Sequence, residues 1–211
     1  MTDSLAFPAA AIVVFTSAAI YGFGFLHAEI GHWRSFWKTV PVAIMALFVA
    51  FFGGWLLTFA LILSAVGDFF LSREDDKFTV GLISFLSAHL LYIWLFWQLI
   101  DSASFGWGQA AMLAYALVYG AYLWPLAGAF QIPVLAYIFV ITIMVSVAFM
   151  LPSGFGFVVL GSLFFALSDS ALALEMFVIT NPRAKFTLSK TVWVTYIAAQ
   201  GLLVVGLSEI S

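Results

Sequence analysis

Two aspartates lie inside long apolar runs of the sequence. Asp68 follows the segment Leu63-Ser64-Ala65-Val66-Gly67, and Asp169 lies between two serines. An ionisable group at membrane depth costs roughly 2.5–3.5 kcal/mol on insertion scales, so such groups usually face a bundle interior and mark a functional site. In a paired set of carboxyl groups, burial and mutual repulsion raise the pKa of one member, which suits general acid and base work. The pair therefore indicates acid–base chemistry, with an interfacial ion pair at Asp68 and a structural hydrogen bond at Asp169 as the alternatives.

Several other polar side chains fall at helical spacing around these carboxylates. Ser64 lies one turn from Asp68, and Tyr92 follows His89 at i+3, so each pair shares a helix face. The histidine could instead donate to a neighbouring backbone group or carboxylate. The tyrosines and the glutamine could be interhelical hydrogen-bond partners, and the serines could be packing residues. The candidate substrate-binding set is Ser64, His89, Tyr92, Ser168, Tyr196 and Gln200.

The composition defines the medium in which these groups lie. Hydrophobic residues make up 65% of the 211-residue chain, charged residues 8%, and the mean hydropathy is +1.16. Soluble domains carry about 25% charged residues, so the sequence predicts one integral membrane domain over residues 1–211. Seven basic residues without a basic patch exclude a nucleic-acid binder. The absence of cysteine excludes thiolate sites, and the three histidines form no zinc motif. We therefore expect no metal and no cofactor.

Apolar runs separated by charge clusters and Gly/Pro breaks predict an all-α, polytopic transmembrane bundle of about eight helices, since a span needs about 20 apolar residues. The N-terminal run has no basic n-region, so it reads as a first helix that is retained rather than as a cleaved signal. The predicted helices are approximately 5–26, 38–52, 55–72, 79–100, 108–128, 131–150, 155–178 and 189–208.

The basic residues predict the orientation. All seven fall on the side of the membrane that holds the loops after helices one, three, five and seven. Lysine and arginine are enriched in short cytoplasmic loops, so this side is predicted to be the cytoplasmic one. Both termini are therefore expected outside the cytoplasm, with Asp3, Asp101 and Glu209 on that outer face. Lys38 and Lys190 could pair with lipid phosphate, or could only set the topology. The short loops and compact length suggest a bacterial inner membrane.

Counting residues from the cytoplasmic helix ends places the polar candidates in one half of the bilayer. Four helices contribute to this level, which predicts a polar cavity open to the cytoplasm. The third helix of each half carries an aspartate, Asp68 or Asp169, which permits a parallel four-plus-four repeat that would bring the carboxylates together.

Four motifs in this order resemble the YhhN family, which contains the lysoplasmalogenases. They are Gly67-Asp68, Ala88-His89-Leu90-Leu91-Tyr92, Ser168-Asp169-Ser170 and Tyr196-Ile197-Ala198-Ala199-Gln200. The resemblance implies an eight-helix enzyme that cleaves the vinyl ether bond of lysoplasmalogens. Its products would be a fatty aldehyde and a glycerophospho-base, and its partners a lysophospholipid substrate and membrane lipid.

The same resemblance carries catalytic roles to Asp68 and Asp169, and it matches His89, Tyr92, Tyr196 and Gln200 to the family pattern. The family's Lys-Pro pairing is replaced by Lys38-Thr39-Val40-Pro41, which weakens the assignment of Lys38 as a substrate contact.

The reaction requires an acid that protonates the vinyl ether carbon and a carboxylate that stabilises the resulting cation. We expect Asp169, counted as the deeper group, to be the acid and Asp68 to stabilise the cation and orient water, with the opposite assignment open. Two other classes use the same residues. A proton-coupled transporter of small molecules or lipids would relay protons through them, and a non-catalytic scaffold would use them for packing only.

Overall fold

The computed structural model describes residues 3–52, 54–73 and 77–208. Within these ranges the chain forms eight α-helices and no strand, which confirms the all-α prediction. Some acidic residues that the sequence assigned to a loop or to the outer face lie outside the described part of the chain. These are residues 74–76, Glu209 and the side chain of Asp3. The helices are α1 Asp3–Ile20, continued by a π-helical turn Tyr21–Phe25, α2 His32–Phe51, α3 Trp55–Leu71, α4 Phe78–Trp97, α5 Trp107–Leu123, α6 Gln131–Ala148, α7 Gly156–Phe177 and α8 Pro182–Ser208.

Two helices begin earlier than the sequence predicted. Helix α2 starts at His32 rather than 38, and α8 starts at Pro182 rather than 189. The start of α8 is capped, because the Asn181 side-chain oxygen accepts hydrogen bonds from the backbone N–H groups of Arg183 (2.9 Å) and Ala184 (3.3 Å). Asparagine at the N-cap and proline at the first helical position are strong helix-start signals. The predicted starts were wrong because hydropathy locates the apolar part of a helix, and both helices have a polar first turn or two.

Within the described residues, six helical segments are long and apolar enough to cross a membrane, as expected for an integral membrane protein. Helices α3 and α5 have 17 residues each, or about 26 Å at 1.5 Å per residue, which is close to the roughly 30 Å thickness of the hydrocarbon core. Helix α3 is also apolar. The six segments are Ala6–Phe25, His32–Phe51, Phe78–Trp97, Gly128–Ala148, Gly156–Phe177 and Pro182–Ser208.

Two glycines make the tight turns of the second half possible. Gly128, just before α6, has φ +52°, and Gly154, just before α7, has φ +125°. Residues with a Cβ rarely adopt this left-handed region, whereas glycine enters it without steric cost. Gly154 falls in the predicted break between 150 and 155, and Gly128 falls at the predicted end of the helix 108–128.

The chain forms two compact units. The first comprises Met1–Leu91 and Leu207–Ser211, and the second comprises Tyr92–Gly206, so α4 contributes to both. In the first unit α2 and α3 run antiparallel, because His32 contacts Arg73 and Lys38 contacts Asp68.

In the second unit α7 and α8 pack closely and antiparallel. The Ser168 hydroxyl donates to the Val192 carbonyl at 3.1 Å. A Cβ at Gly161 would lie 3.1 Å from the Ala199 carbonyl oxygen and 3.0 Å from Leu203 Cγ. The absence of a side chain at position 161 therefore allows the two helix backbones to approach.

Candidate active site

Asp68 lies on the last turn of α3 and is almost fully buried, with 1% of its surface exposed. The Lys38 ammonium on α2 is 3.8 Å from Asp68 Oδ1, which is ion-pair distance rather than hydrogen-bond distance, and the Lys38 side chain is 19% exposed. Because α2 begins at His32, Lys38 lies within the helix, beside the end of α3. The sequence allowed an interfacial ion pair between Asp68 and the adjacent loop at 73–77, whereas the ion pair described here joins Asp68 to Lys38 of α2. The ammonium stabilises negative charge on a shielded carboxylate.

Ser64 and His89 belong to the same unit, and each has a hydrogen bond to its own helix. The Ser64 hydroxyl donates to the Ala60 carbonyl at 2.9 Å. His89 is 1% exposed, and its Nδ1 is 2.7 Å from the Phe85 carbonyl oxygen. A carbonyl only accepts, so this contact assigns the ring hydrogen to Nδ1. The backbone contact considered from the sequence for His89 is thus present at Nδ1.

Gly67, next to the catalytic candidate Asp68, is a close-packing position between α3 and α4. A Cβ at this position would lie 2.5 Å from Cδ2 of the Phe85 ring. Phe85 is 7% exposed, so its ring has little free space to turn into in a close-packed interior. The glycine in the Gly-Asp motif therefore has a packing role.

Gly67→Ala is expected to lower the free energy of unfolding by about 1–3 kcal/mol, the usual cost of overpacking a close contact. The matched control is Gly201→Ala on α8, where a Cβ would meet nothing within 4 Å. There the higher helix propensity of alanine should stabilise by up to about 1 kcal/mol. Thermal unfolding of both variants in detergent measures the difference, and equal shifts would contradict the packing role.

Asp169 lies in the second unit, partly exposed, within a group of tyrosines. The Tyr137 hydroxyl on α6 donates to Asp169 Oδ2 at 3.1 Å. The next residue, Ser170, shares a hydrogen bond with the Tyr115 hydroxyl at 2.7 Å, and its carbonyl accepts from Tyr119 at 2.6 Å. Sequence reasoning missed these three tyrosines, although tyrosines at intramembrane depth, two of them four residues apart, were a readable signal.

The aspartate that was counted as deeper in the membrane is the more exposed of the two. Asp68, counted as the shallower group, is 1% exposed, whereas Asp169, counted as the deeper one, is partly exposed. Distance along a helix measures position across the bilayer, whereas burial depends on which neighbours cover the side chain. The depth argument for choosing the acid therefore loses its basis, and the choice depends on the partners of each carboxylate.

Tyr92 and Gln200 form a buried hydrogen bond in the second unit. The Tyr92 hydroxyl donates to Gln200 Oε1 at 2.6 Å, and both residues are 0% exposed. The Phe165 ring packs against Tyr92 and against Tyr196 of α8. Its centroid is 6.2 Å from that of Tyr92 and 5.6 Å from that of Tyr196. Among the residues that the structure describes, Gln200 Nε2 meets no hydrogen-bond acceptor. The interhelical role considered from the sequence is thus present for Tyr92 and Gln200.

Tyr92→Phe is expected to lower the free energy of unfolding by about 1–2 kcal/mol, because it leaves the buried Gln200 carbonyl oxygen without this donor. The double variant Tyr92→Phe, Gln200→Leu should recover most of that loss, since replacing both partners by apolar groups is close to neutral. Denaturation of the two single variants and the double variant forms a complete cycle. Strictly additive losses would contradict an energetic link between the two side chains.

Asp169 and Gln200 do not lie at one level of the second unit. Ser168 contacts Val192 on α8, and Gln200 is eight residues, or about 12 Å, farther along that helix. The prediction that Asp169 and Gln200 share a depth was wrong because that depth was counted from position 189, whereas α8 starts seven residues earlier. Gln200, and Tyr92 with which it shares a hydrogen bond, therefore lie farther from the start of α8 than Ser168 does.

No three histidine, aspartate or glutamate side chains are close enough to hold a metal ion within residues 3–52, 54–73 and 77–208.

The profile of the YhhN family matches residues 33–207, which is most of the chain and includes every candidate site residue. The chain belongs to the YhhN family. The resemblance drawn from the four motifs is therefore confirmed.

Relatives of this YhhN protein carry the name lysoplasmalogenase. The lysoplasmalogenase of Mycobacterium bovis is 32% identical over 160 residues, which cover 72% of this chain and 59% of that protein. Lysoplasmalogenase TMEM86B of Rattus norvegicus is 34% identical over 171 residues, covering 79% and 69%, and that of Sus scrofa is 31% identical over 177 residues, covering 82% and 74%. The aligned part spans about three fifths of the mycobacterial relative. No solved structure matches this YhhN chain.

Proposed function

We propose that this YhhN protein hydrolyses the vinyl ether bond of lysoplasmalogens, with Asp68 and Asp169 as the catalytic carboxylates. The products are a fatty aldehyde and a glycerophospho-base. Family membership and the names of relatives at 31–34% identity support the substrate class.

The observation that carries the division of roles is that the two carboxylates have different partners. A lysine ammonium lies 3.8 Å from Asp68, whereas a tyrosine hydroxyl donates to Asp169. A neighbouring cation favours a carboxylate that stays ionised, and a hydroxyl is compatible with either protonation state. The lysine beside Asp68 supports Asp68 as the charged group that stabilises the developing cation, which leaves the role of proton donor to Asp169.

The proposed reaction needs only a proton transfer and a water molecule. The acid protonates the β-carbon of the vinyl ether, which leaves an oxocarbenium ion at the carbon bound to oxygen. Water adds to that carbon and loses a proton, which returns through the carboxylates to the acid and regenerates it, giving a hemiacetal. The hydroxyl proton of the hemiacetal then passes to the glycerol oxygen as the bond between that oxygen and the carbon breaks, which releases the aldehyde and the alcohol.

The substrate-binding candidates divide into residues proposed to act indirectly and residues proposed to contact the substrate directly. Lys38 is proposed to act on the reaction through Asp68. The hydroxyls of Ser64 and Ser168 donate to helix carbonyls, so direct substrate contact is proposed mainly for the others. These are His89, Tyr92, Tyr196 and Gln200.

The basic residues support a proposal for orientation. The seven basic residues lie near the starts of α2 and α8 or between α3 and α4. With these charges on the cytoplasmic side, the chain would lie in a bacterial inner membrane with both termini outside the cytoplasm. A C-terminal alkaline phosphatase fusion should then be active, and an inactive phosphatase with an active cytoplasmic reporter at the same site would reject this orientation.

Aldehyde release from a defined lipid tests the proposed activity. Purified protein is incubated with an alkenyl lysophosphatidylcholine and, in parallel, with the alkyl ether and acyl analogues of the same head group. Aldehyde is expected from the alkenyl lipid alone, because only a vinyl ether gives an oxocarbenium ion on carbon protonation. Hydrolysis of the acyl lipid, or vesicle uptake of the alkenyl lipid without product, would reject the proposal.

A further inference from the structure

The first unit has a cluster of basic side chains where α2 begins and α3 ends. The His32 ring accepts a hydrogen bond from the Arg73 guanidinium at 3.0 Å, and Lys38 forms the ion pair with Asp68. These two contacts join α2 and α3 in antiparallel register. Arg34 lies between them on α2, one turn from Lys38 toward the start of the helix.

Arg34 differs from Lys38 because no carboxylate among the described residues forms an ion pair with it. It is partly buried, and its Nε is shielded from solvent without a hydrogen-bond partner among the residues that the structure describes. Within residues 3–52, 54–73 and 77–208, no acidic side chain lies at ion-pair distance from Arg34. Shielding a charged donor without an acceptor is costly, so this position is suited to an anionic ligand. A guanidinium is particularly suited to phosphate, because its planar fork donates two parallel hydrogen bonds.

We infer that Arg34 binds the phosphate of the glycerophospho head group, an inference that rests on the proposed function. Residues i and i+4 of a helix have Cβ atoms about 5–6 Å apart. In the substrate, five bonds separate the vinyl ether oxygen from phosphorus, which is about 6 Å at typical bond lengths of about 1.5 Å. A phosphate held by Arg34 therefore sets the vinyl ether at the level of Lys38 and Asp68.

The polarity of α2 agrees with this alignment. The helix carries its charged residues in its first two turns, and beyond Thr39 it is apolar up to Phe51. An amphiphile whose phosphate contacts Arg34 would thus direct its alkenyl chain along the apolar part of the helix.

Ligand binding measured without turnover tests the phosphate site. The probes are an alkyl ether lysophosphatidylcholine, which cannot form the oxocarbenium ion, and the corresponding alkyl glycerol ether, which has no phosphate. Arg34→Gln should weaken binding of the phospholipid roughly 10- to 100-fold, as expected for a lost hydrogen bond between charged groups, and should leave binding of the glycerol ether unchanged. Arg34→Lys should give an intermediate loss, and it retains a cation if the glutamine variant folds poorly.

Arg183→Gln is the matched control, because Arg183 is an exposed arginine in the first turn of α8. It should leave the affinity for both probes unchanged. Equal weakening of both probes by Arg34→Gln, or no weakening of either, would overturn the phosphate site and leave Arg34 as a topology-setting charge. If millimolar inorganic phosphate displaced the phospholipid, and did so only when Arg34 is present, the site would be assigned to free phosphate instead.

Aldehyde release serves as a separate readout. Arg34-dependent phospholipid binding without aldehyde would reject the proposed activity alone, and aldehyde release without Arg34 dependence would reject the phosphate site alone.

Discussion

Asp68→Asn and Asp169→Asn are each expected to lower kcat for aldehyde release by about 10²–10⁴-fold, the usual contribution of a positioned acid or base. Asparagine has nearly the same shape as aspartate, but it neither donates a proton to carbon nor carries the charge that stabilises a cation. Turnover of the alkenyl lysophosphatidylcholine by purified variants measures the effect. Binding of the alkyl ether analogue should change much less than kcat, because the carboxylates act mainly in the transition state.

Asp101→Asn is the control for these two variants, since Asp101 is an exposed aspartate between α4 and α5. It should retain full activity. The double variant Asp68→Asn, Asp169→Asn should be hardly slower than the slower single variant, because groups that act in one step give non-additive effects. Near-normal turnover in either single variant would remove that residue from the mechanism.

The fold class and the two carboxylates were predictable because both depend on local sequence. A membrane helix requires a long apolar run, and a charge within such a run is conspicuous, so Asp68 and Asp169 could be identified without knowledge of their neighbours. The start of α8 was also encoded locally, in Asn181-Pro182, but the apolar run drew the boundary to 189 instead. Capping chemistry and hydropathy define different ends of the same helix.

The partners of the carboxylates were not predictable, because they depend on which helices are neighbours and in what register. Lys38 contacts Asp68 from α2, and Tyr137 contacts Asp169 from α6. No periodicity within α3 or α7 specifies those contacts. The seven-residue error at the start of α8 also shifted every depth counted along it, which placed Gln200 at the level of Asp169. The register of α7 against α8 can be read only from a contact between the two helices, such as that between Ser168 and Val192.

The ion pair between Lys38 and Asp68 gives the largest effect expected on stability. Lys38→Met removes the cation 3.8 Å from a carboxylate that is 1% exposed. Breaking a buried ion pair at one partner typically costs about 3–5 kcal/mol, and the 19% exposure of Lys38 favours the lower end of that range. We expect Lys38→Met to lower the free energy of unfolding by about 3 kcal/mol and to reduce kcat in the fraction that remains folded.

The double variant Lys38→Met, Asp68→Asn separates the structural role of the lysine from its catalytic role. Without the buried negative charge the missing cation costs little, because replacing both members of a buried pair is often neutral. The double variant should therefore recover most of the stability, measured by denaturation in detergent, while it stays as inactive as Asp68→Asn alone. Lys185→Met, at an exposed lysine of α8, should change stability by no more than about 0.5 kcal/mol. If Lys38→Met proved as harmless as Lys185→Met, the lysine would not stabilise charge on Asp68, and the assignment of Asp68 as the permanently ionised carboxylate would lose its support.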